Sequence, residues 1–93
     1  MIEGRYFDAQ ELLLMHSART FGPRDSDTIC FAAYIASEDA YVYVHSRFRA
    51  VFENLLALRY LVKTPKGYVP TEEGLATLES SLKWHTAILR KIR

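Results

Sequence analysis

Five cations stand between Tyr41 and Tyr68: Arg47, Arg49, Arg59, Lys63 and Lys66, with Glu53 as the one opposing carboxylate. That window carries a net +4 in a chain whose formal charge is +1, which leaves −3 for the flanking segments. A basic middle between acidic ends places one positive face on a small protein, and such a face suits nucleic-acid phosphates. An ordinary solvated helix surface gives the same pattern, and charge alone does not separate the two origins.

Other chemistries have little support. His16, His45 and His85 fall in three separate helical segments without the paired spacing of a metal site, so no metal and no cofactor is expected. Cys30 is the only cysteine, which excludes an intrachain disulfide and a cysteine-based zinc cage. Its setting, Thr-Ile-Cys-Phe-Ala-Ala, reads as buried helix rather than as a nucleophile site, and a reducing cytoplasm is the natural location. No Gly-rich phosphate loop follows a strand and no Gly-x-Ser-x-Gly appears; carboxylates gather at helix starts, where capping accounts for them. The chain is not expected to be an enzyme. No apolar stretch approaches the roughly 18 residues of a membrane helix, and MIEGRYFDAQ lacks the pattern of a secretory signal.

The elements that must position the cations follow from periodicity and caps. The 93 residues, 49% hydrophobic, fit one domain, although so short a chain gains from a partner. Residues 1–7 are read as an arm, with Ile-Glu-Gly-Arg at 2–5 matching a common engineered protease site, and 8–93 as the domain. A first helix is expected from Asp8, its N-cap, to about Arg19, with Ala9, Leu12, Leu13, Met15 and His16 on its apolar stripe. After the Phe-Gly-Pro-Arg-Asp-Ser-Asp break, Asp27 is expected to cap a second helix through Ser37. Ile29, Cys30, Ala33, Tyr34 and Ile35 are then available to the core.

Ser37-Glu38-Asp39 opens a third helix, on which Tyr41, Val44, Phe48, Val51, Leu55 and Leu58 recur at helical steps. Residues 41–44, Tyr-Val-Tyr-Val, also have strand propensity, so a strand there with a helix from about Ser46 is the other reading. Leu61–Thr64 and Gly67–Val69 read as a hairpin turning at Pro65-Lys66, with Gly67 where positive φ is wanted. Thr71 caps a last helix, 71–93, whose first turn holds Glu72 and Glu73.

This order of helix, helix, helix, hairpin, helix, with the wording of residues 51–75, resembles a winged helix-turn-helix domain. In such regulators a helix ends in Leu-x-x-Leu…Gly-Tyr-Leu-Val, a hairpin follows, and Tyr-x-Leu-Thr-x-x-Gly opens the last helix. The matching residues are Leu55, Leu58, Arg59-Tyr60-Leu61-Val62, Gly67-Tyr68-Val69-Pro70-Thr71 and Glu72-Glu73-Gly74. The likeness is to the broad class of MarR-like and PadR-like regulators and small viral or phage relatives. Two departures stand out: Arg59-Tyr60 occupies a corner where the family often has glycine, and Glu38 and Asp39 would face phosphates at the start of the recognition helix.

The resemblance implies a mainly α fold with a small β-hairpin, and sequence-specific binding of double-stranded DNA by a small dimeric transcriptional regulator. The third helix would lie in the major groove. Its surface opposite the apolar stripe collects Tyr43, Ser46, Arg47, Arg49, Ala50 and Glu53. Arg47 is assigned to a base contact because its planar fork matches guanine O6 and N7; Tyr43 and Ser46 would bond bases or phosphates, and Arg49 the backbone. Lys63 and Lys66 on the hairpin would reach phosphates of the adjacent groove. Leu75, Leu78, Leu82, Trp84, Ile88, Leu89 and Ile92 of the last helix would pair with a second copy, setting two recognition helices roughly 34 Å apart. The alternative is a winged-helix module for protein contact without direct DNA binding, favoured by Glu38, Asp39 and the near-zero net charge. No membrane and no small-molecule ligand is expected as a partner.

Overall fold

The computed structural model describes residues 6–39 and 48–83. They form α1 (Ala9–Phe21), α2 (Ser26–Asp39), α3 (Phe48–Ala57), β1 (Leu61–Thr64), β2 (Gly67–Pro70) and α4 (Glu72–Leu82). The architecture is mainly helical with one small antiparallel hairpin, in the order the sequence predicts. Residues 40–47, with the choice between helix and strand at 41–44, lie outside the described residues, as do residues 84–93, over which the last helix is expected to continue.

Asp8 caps α1 as expected. Its carboxylate accepts the Glu11 backbone N–H at 2.8 Å, and the Glu11 carboxylate accepts the Asp8 N–H at 3.0 Å. This reciprocal box satisfies two N–H groups that a helix start otherwise leaves without partners. Leu12, Leu13, Leu14 and Met15 are all fully buried. A helix buried on all sides is a central one, and α2, α3, α4 and β2 pack around α1. The apolar stripe expected from periodicity is therefore too narrow, since Leu14 joins it from the far side.

α2 begins earlier than predicted and runs on through Asp39, so Ser37-Glu38-Asp39 closes α2 instead of opening the third helix, and the Ser37 hydroxyl donates back to the Tyr34 carbonyl. Asp25 takes the capping place: its carbonyl accepts the Ile29 N–H at 3.2 Å and its carboxylate accepts the Thr28 hydroxyl. Asp27 sits inside the first turn instead. Ile29 and Ala33 enter the core and Cys30 is half-buried, but Tyr34 and Ile35 remain 43% and 42% exposed. One helix face can reach α1 and α3, and the turn geometry that buries Ile29 and Ala33 points Tyr34 and Ile35 away from them.

On α3, Phe48 and Leu55 are buried and Val51 partly so, as the period requires. Phe52, one helical step from Phe48, is buried as well and meets the Tyr68 ring edge to face at 5.0 Å. Leu58, expected on the buried stripe, is 45% exposed because the helix has already ended at Ala57.

The ending of α3 explains the corner without glycine. The Tyr60 N–H bonds the Leu55 carbonyl and the Arg59 N–H bonds the Leu56 carbonyl, each at 3.0 Å. This is a Schellman motif, with Tyr60 and Leu55 supplying its apolar contact in the core. Its left-handed position falls on Arg59, at φ 65°, a conformation that costs a residue with a Cβ about 1 kcal/mol. Tyr60 then stacks edge-on against Phe7, with ring centroids 5.1 Å apart.

β1 and β2 pair in the register Leu61↔Pro70, Val62↔Val69, Lys63↔Tyr68 and Thr64↔Gly67, turning at Pro65-Lys66. Gly67 has φ 137°, and a Cβ there would overlap the Arg24 backbone. α4 starts at once: the Thr71 hydroxyl oxygen accepts the Gly74 N–H at 3.0 Å, and the hydroxyl donates to the Arg59 carbonyl at 2.8 Å. The Thr71 N–H bonds the Tyr60 carbonyl at 3.0 Å. Further along, the Phe7 N–H bonds the buried Ser81 hydroxyl at 2.8 Å, tying the chain before α1 to α4.

Gly74 sits where α4 touches this corner, and a Cβ there would overlap the Tyr60 carbonyl oxygen and crowd Met15 Cε at 2.8 Å. Gly74→Ala is therefore expected to destabilise the fold by about 1–3 kcal/mol in urea denaturation. In an unobstructed helix the same change would stabilise.

The half-buried His16 ring accepts a hydrogen bond at Nδ1 from the Arg19 guanidinium at 3.3 Å. Burial, reinforced by the Arg19 charge, holds its pKa below the ordinary 6.5. The unfolded chain then binds the proton more tightly. This contribution to stability is complete above about pH 6.5 and is lost as pH falls through the lower folded value. His16→Gln is expected to reduce the drop in denaturation midpoint between about pH 7.5 and 5.5 relative to the unsubstituted protein.

Candidate nucleic-acid interface

Of the residues assigned to the interface, Tyr43, Ser46 and Arg47 lie outside the described residues, while Arg49, Lys63 and Lys66 are exposed. Arg49 stands on the outer face of α3 beside Ala50 and Glu53, as the helical period requires. It does not project freely. Its guanidinium pairs with the Asp27 carboxylate and approaches the Ser26 hydroxyl at 3.4 Å, so α2 holds it. Both members of the pair are well exposed, and their mutual attraction is screened by salt.

The hairpin cations are arranged by strand pairing. Side chains directly opposite one another in a ladder share a face, and Lys63 lies opposite Tyr68, with its ammonium 6.0 Å from the ring centroid. Tyr68 has a second neighbour. Its N–H bonds the Arg24 carbonyl at 2.8 Å, and Arg24 forms an antiparallel bridge to it from the α1–α2 connection. Arg24, Tyr68 and Lys63 therefore stand abreast, a tyrosine between two exposed cations, with Lys66 at the turn. Gly67 permits this, since any side chain there would displace the Arg24 backbone.

Arg24 was invisible to the charge count, because it falls outside the basic window and joins it only through tertiary pairing. The sequence signal for it was Gly67, whose missing side chain admits a neighbouring backbone as well as a turn. Between the hairpin and the first turn of α2 lies an open cleft of about 350 Å³, bordered by Lys63, Lys66, Tyr68, Asp25 and Ser26. The positive end of the α2 dipole and the two lysines make it attractive to anions, while Asp25 and Asp27 oppose them. The Thr28 hydrogen bond keeps the Asp25 carboxyl below its ordinary pKa, so it is charged at neutral pH.

The expected dimer residues divide. Leu78 is fully buried in the core of its own chain and cannot serve a second copy. Leu82 is half-buried and Leu75 exposed, and Trp84, Ile88, Leu89 and Ile92 lie outside the described residues. Burial, and secondarily Glu53, pushes the Cys30 thiol up, leaving it a protonated and poor nucleophile. Among the described residues no group of three His, Cys, Asp or Glu side chains is placed to hold a metal ion, and no helix is long and apolar enough to cross a membrane.

Asp27 is the carboxylate that decides whether Arg49 is available. If this face takes a DNA duplex, Asp27→Asn should raise affinity for a generic duplex by about two- to fivefold at low salt, read by fluorescence anisotropy. Unchanged affinity would place Arg49 outside the interface. No protein-family model matches the chain, and no curated protein or solved structure matches it significantly.

Proposed function

We propose that this chain is a winged-helix protein that binds double-stranded DNA, acting as a small transcriptional regulator. The observation that carries the reading is the row of Arg24, Tyr68 and Lys63 across the hairpin, continued by Lys66 at its tip. Two exposed cations on either side of a tyrosine that is itself anchored on Phe52 present point charges to phosphates from a fixed edge. The order of three helices, hairpin and helix supports the same reading. In it, the exposed side of α3 enters the major groove, with Arg47 reading a base and Arg49, once released from Asp27, bonding the backbone. A homodimer would use the exposed Leu75 and the uncovered part of Leu82, with Trp84, Ile88, Leu89 and Ile92, and would double the phosphate contacts per site.

A second reading is a protein-contact module. It draws on α2, where Phe31, Tyr34 and Ile35 at helical spacing are 66%, 43% and 42% exposed.

Anisotropy with a mixed-sequence duplex across a salt series tests the first reading. Binding should weaken as salt rises, with a slope of about 0.9 per phosphate neutralised. Arg24→Ala and Lys66→Ala should each weaken all sequences alike and reduce the slope by about one, whereas Arg47→Ala should relax preference at one base position. Absence of binding at about 50 mM salt and micromolar protein would overturn DNA binding and leave the protein-contact reading.

A further inference from the structure

Arg59 is the one described residue other than glycine with positive φ, at 65°. The backbone around it leaves no freedom: its N–H bonds the Leu56 carbonyl at 3.0 Å and its carbonyl accepts the Thr71 hydroxyl at 2.8 Å. Glycine would meet every one of these constraints without the steric penalty that a Cβ brings in this conformation. The side chain gives the fold no evident return. It is exposed, and among the described residues it forms no ion pair, although Glu72 and Glu73 open α4 just beyond Thr71. An exposed pair with either would at best balance the backbone penalty. A strained residue held by its surroundings, with a charged side chain directed to solvent, is the pattern of a position kept for binding.

The placement of Arg59 says what it would bind. It stands at the root of the hairpin, two residues before β1, with Lys63 in the middle of the strand and Lys66 at the tip. The hairpin thus presents cations at its root, middle and tip.

We propose that Arg59 is a phosphate-binding residue, its guanidinium gripping a backbone phosphate of duplex DNA at the root of the hairpin. This rests on the DNA-binding reading above and adds a contact which neither the helical period nor the strand register assigns. The guanidinium fork bonds two phosphate oxygens at once. The Schellman corner fixes the Arg59 backbone before DNA arrives, so little backbone freedom remains to be lost on binding.

Three variants test this: Arg59→Gly, Arg59→Asn and Arg59→Lys, each measured for thermal midpoint and for duplex affinity across salt. Arg59→Gly should raise the midpoint by several degrees while weakening binding about five- to tenfold and lowering the salt slope by about one. Arg59→Asn, neutral and tolerant of this φ, should lose affinity to the same extent. Arg59→Lys should keep the slope, because the charge remains. If the unsubstituted protein binds and the neutral variants match it in affinity and slope, Arg59 is a corner residue only and the proposal fails alone. A midpoint that falls in Arg59→Gly overturns it as well, since the side chain would then be serving the fold. If the unsubstituted protein binds no duplex, the DNA reading fails and takes this contact with it.

Discussion

The carbonyl of Tyr60 is the point on which three elements converge. It accepts the Thr71 N–H at 3.0 Å, and the first turn of α4 comes so near that only Gly74 fits there. The Tyr60 side chain meanwhile closes the Schellman ending of α3 and meets Phe7 before α1. One peptide unit thus sets where α3 stops, where β1 starts and at what angle α4 departs. A backbone carbonyl this deeply placed must be hydrogen-bonded. Satisfying it from Thr71 rather than from water brings the two ends of the hairpin together. The left-handed conformation of Arg59 follows, since the chain must reverse within one residue to present that carbonyl.

A second junction fixes the far side of the hairpin. Tyr68 spans both faces of the problem: its backbone bridges to Arg24, and its ring packs against Phe52 of α3. An isolated two-stranded hairpin is at best marginally stable in water. This one is anchored at its root by Tyr60 and Thr71 and along its edge by Arg24, while Pro65 and Lys66 stay exposed. The same anchoring selects which charges stand together. Lys63 and Arg24 become neighbours across Tyr68, although 39 positions of sequence separate them. A chain with a formal charge of only +1 can therefore present a local cationic row.

Acids temper that row. Asp27 engages Arg49 and Asp25 borders the cleft beside Lys63 and Lys66. Both aspartates also serve α2, one as its cap and one in its first turn, where negative charge complements the helix dipole. The groups that stabilise the start of α2 are thus the ones that oppose an incoming phosphate. On the proposed DNA-binding reading, these acids would moderate the attraction of the face for phosphates.

The caps at Asp8 and Thr71, the turn at Pro65-Lys66, the positive φ of Gly67 and the order of elements were all legible in the sequence. Each is a local matter, decided by hydrogen bonds and sterics within a few residues of the one concerned. Periodicity also identified Phe48, Leu55 and Leu78 as apolar positions of their helices. It failed where burial depends on what lies opposite: Leu14 is buried because α1 is surrounded, Tyr34 and Ile35 are exposed because α2 is covered on one face, and Leu78 is enclosed by its own chain rather than by a second. The same limit applies to the interface. The sequence by itself determined which residues carry charge and which segment they crowd into. Only the tertiary structure decided that Arg24 joins Lys63 and that Asp27 holds Arg49, because each depends on contacts between residues remote in sequence, which no local pattern encodes.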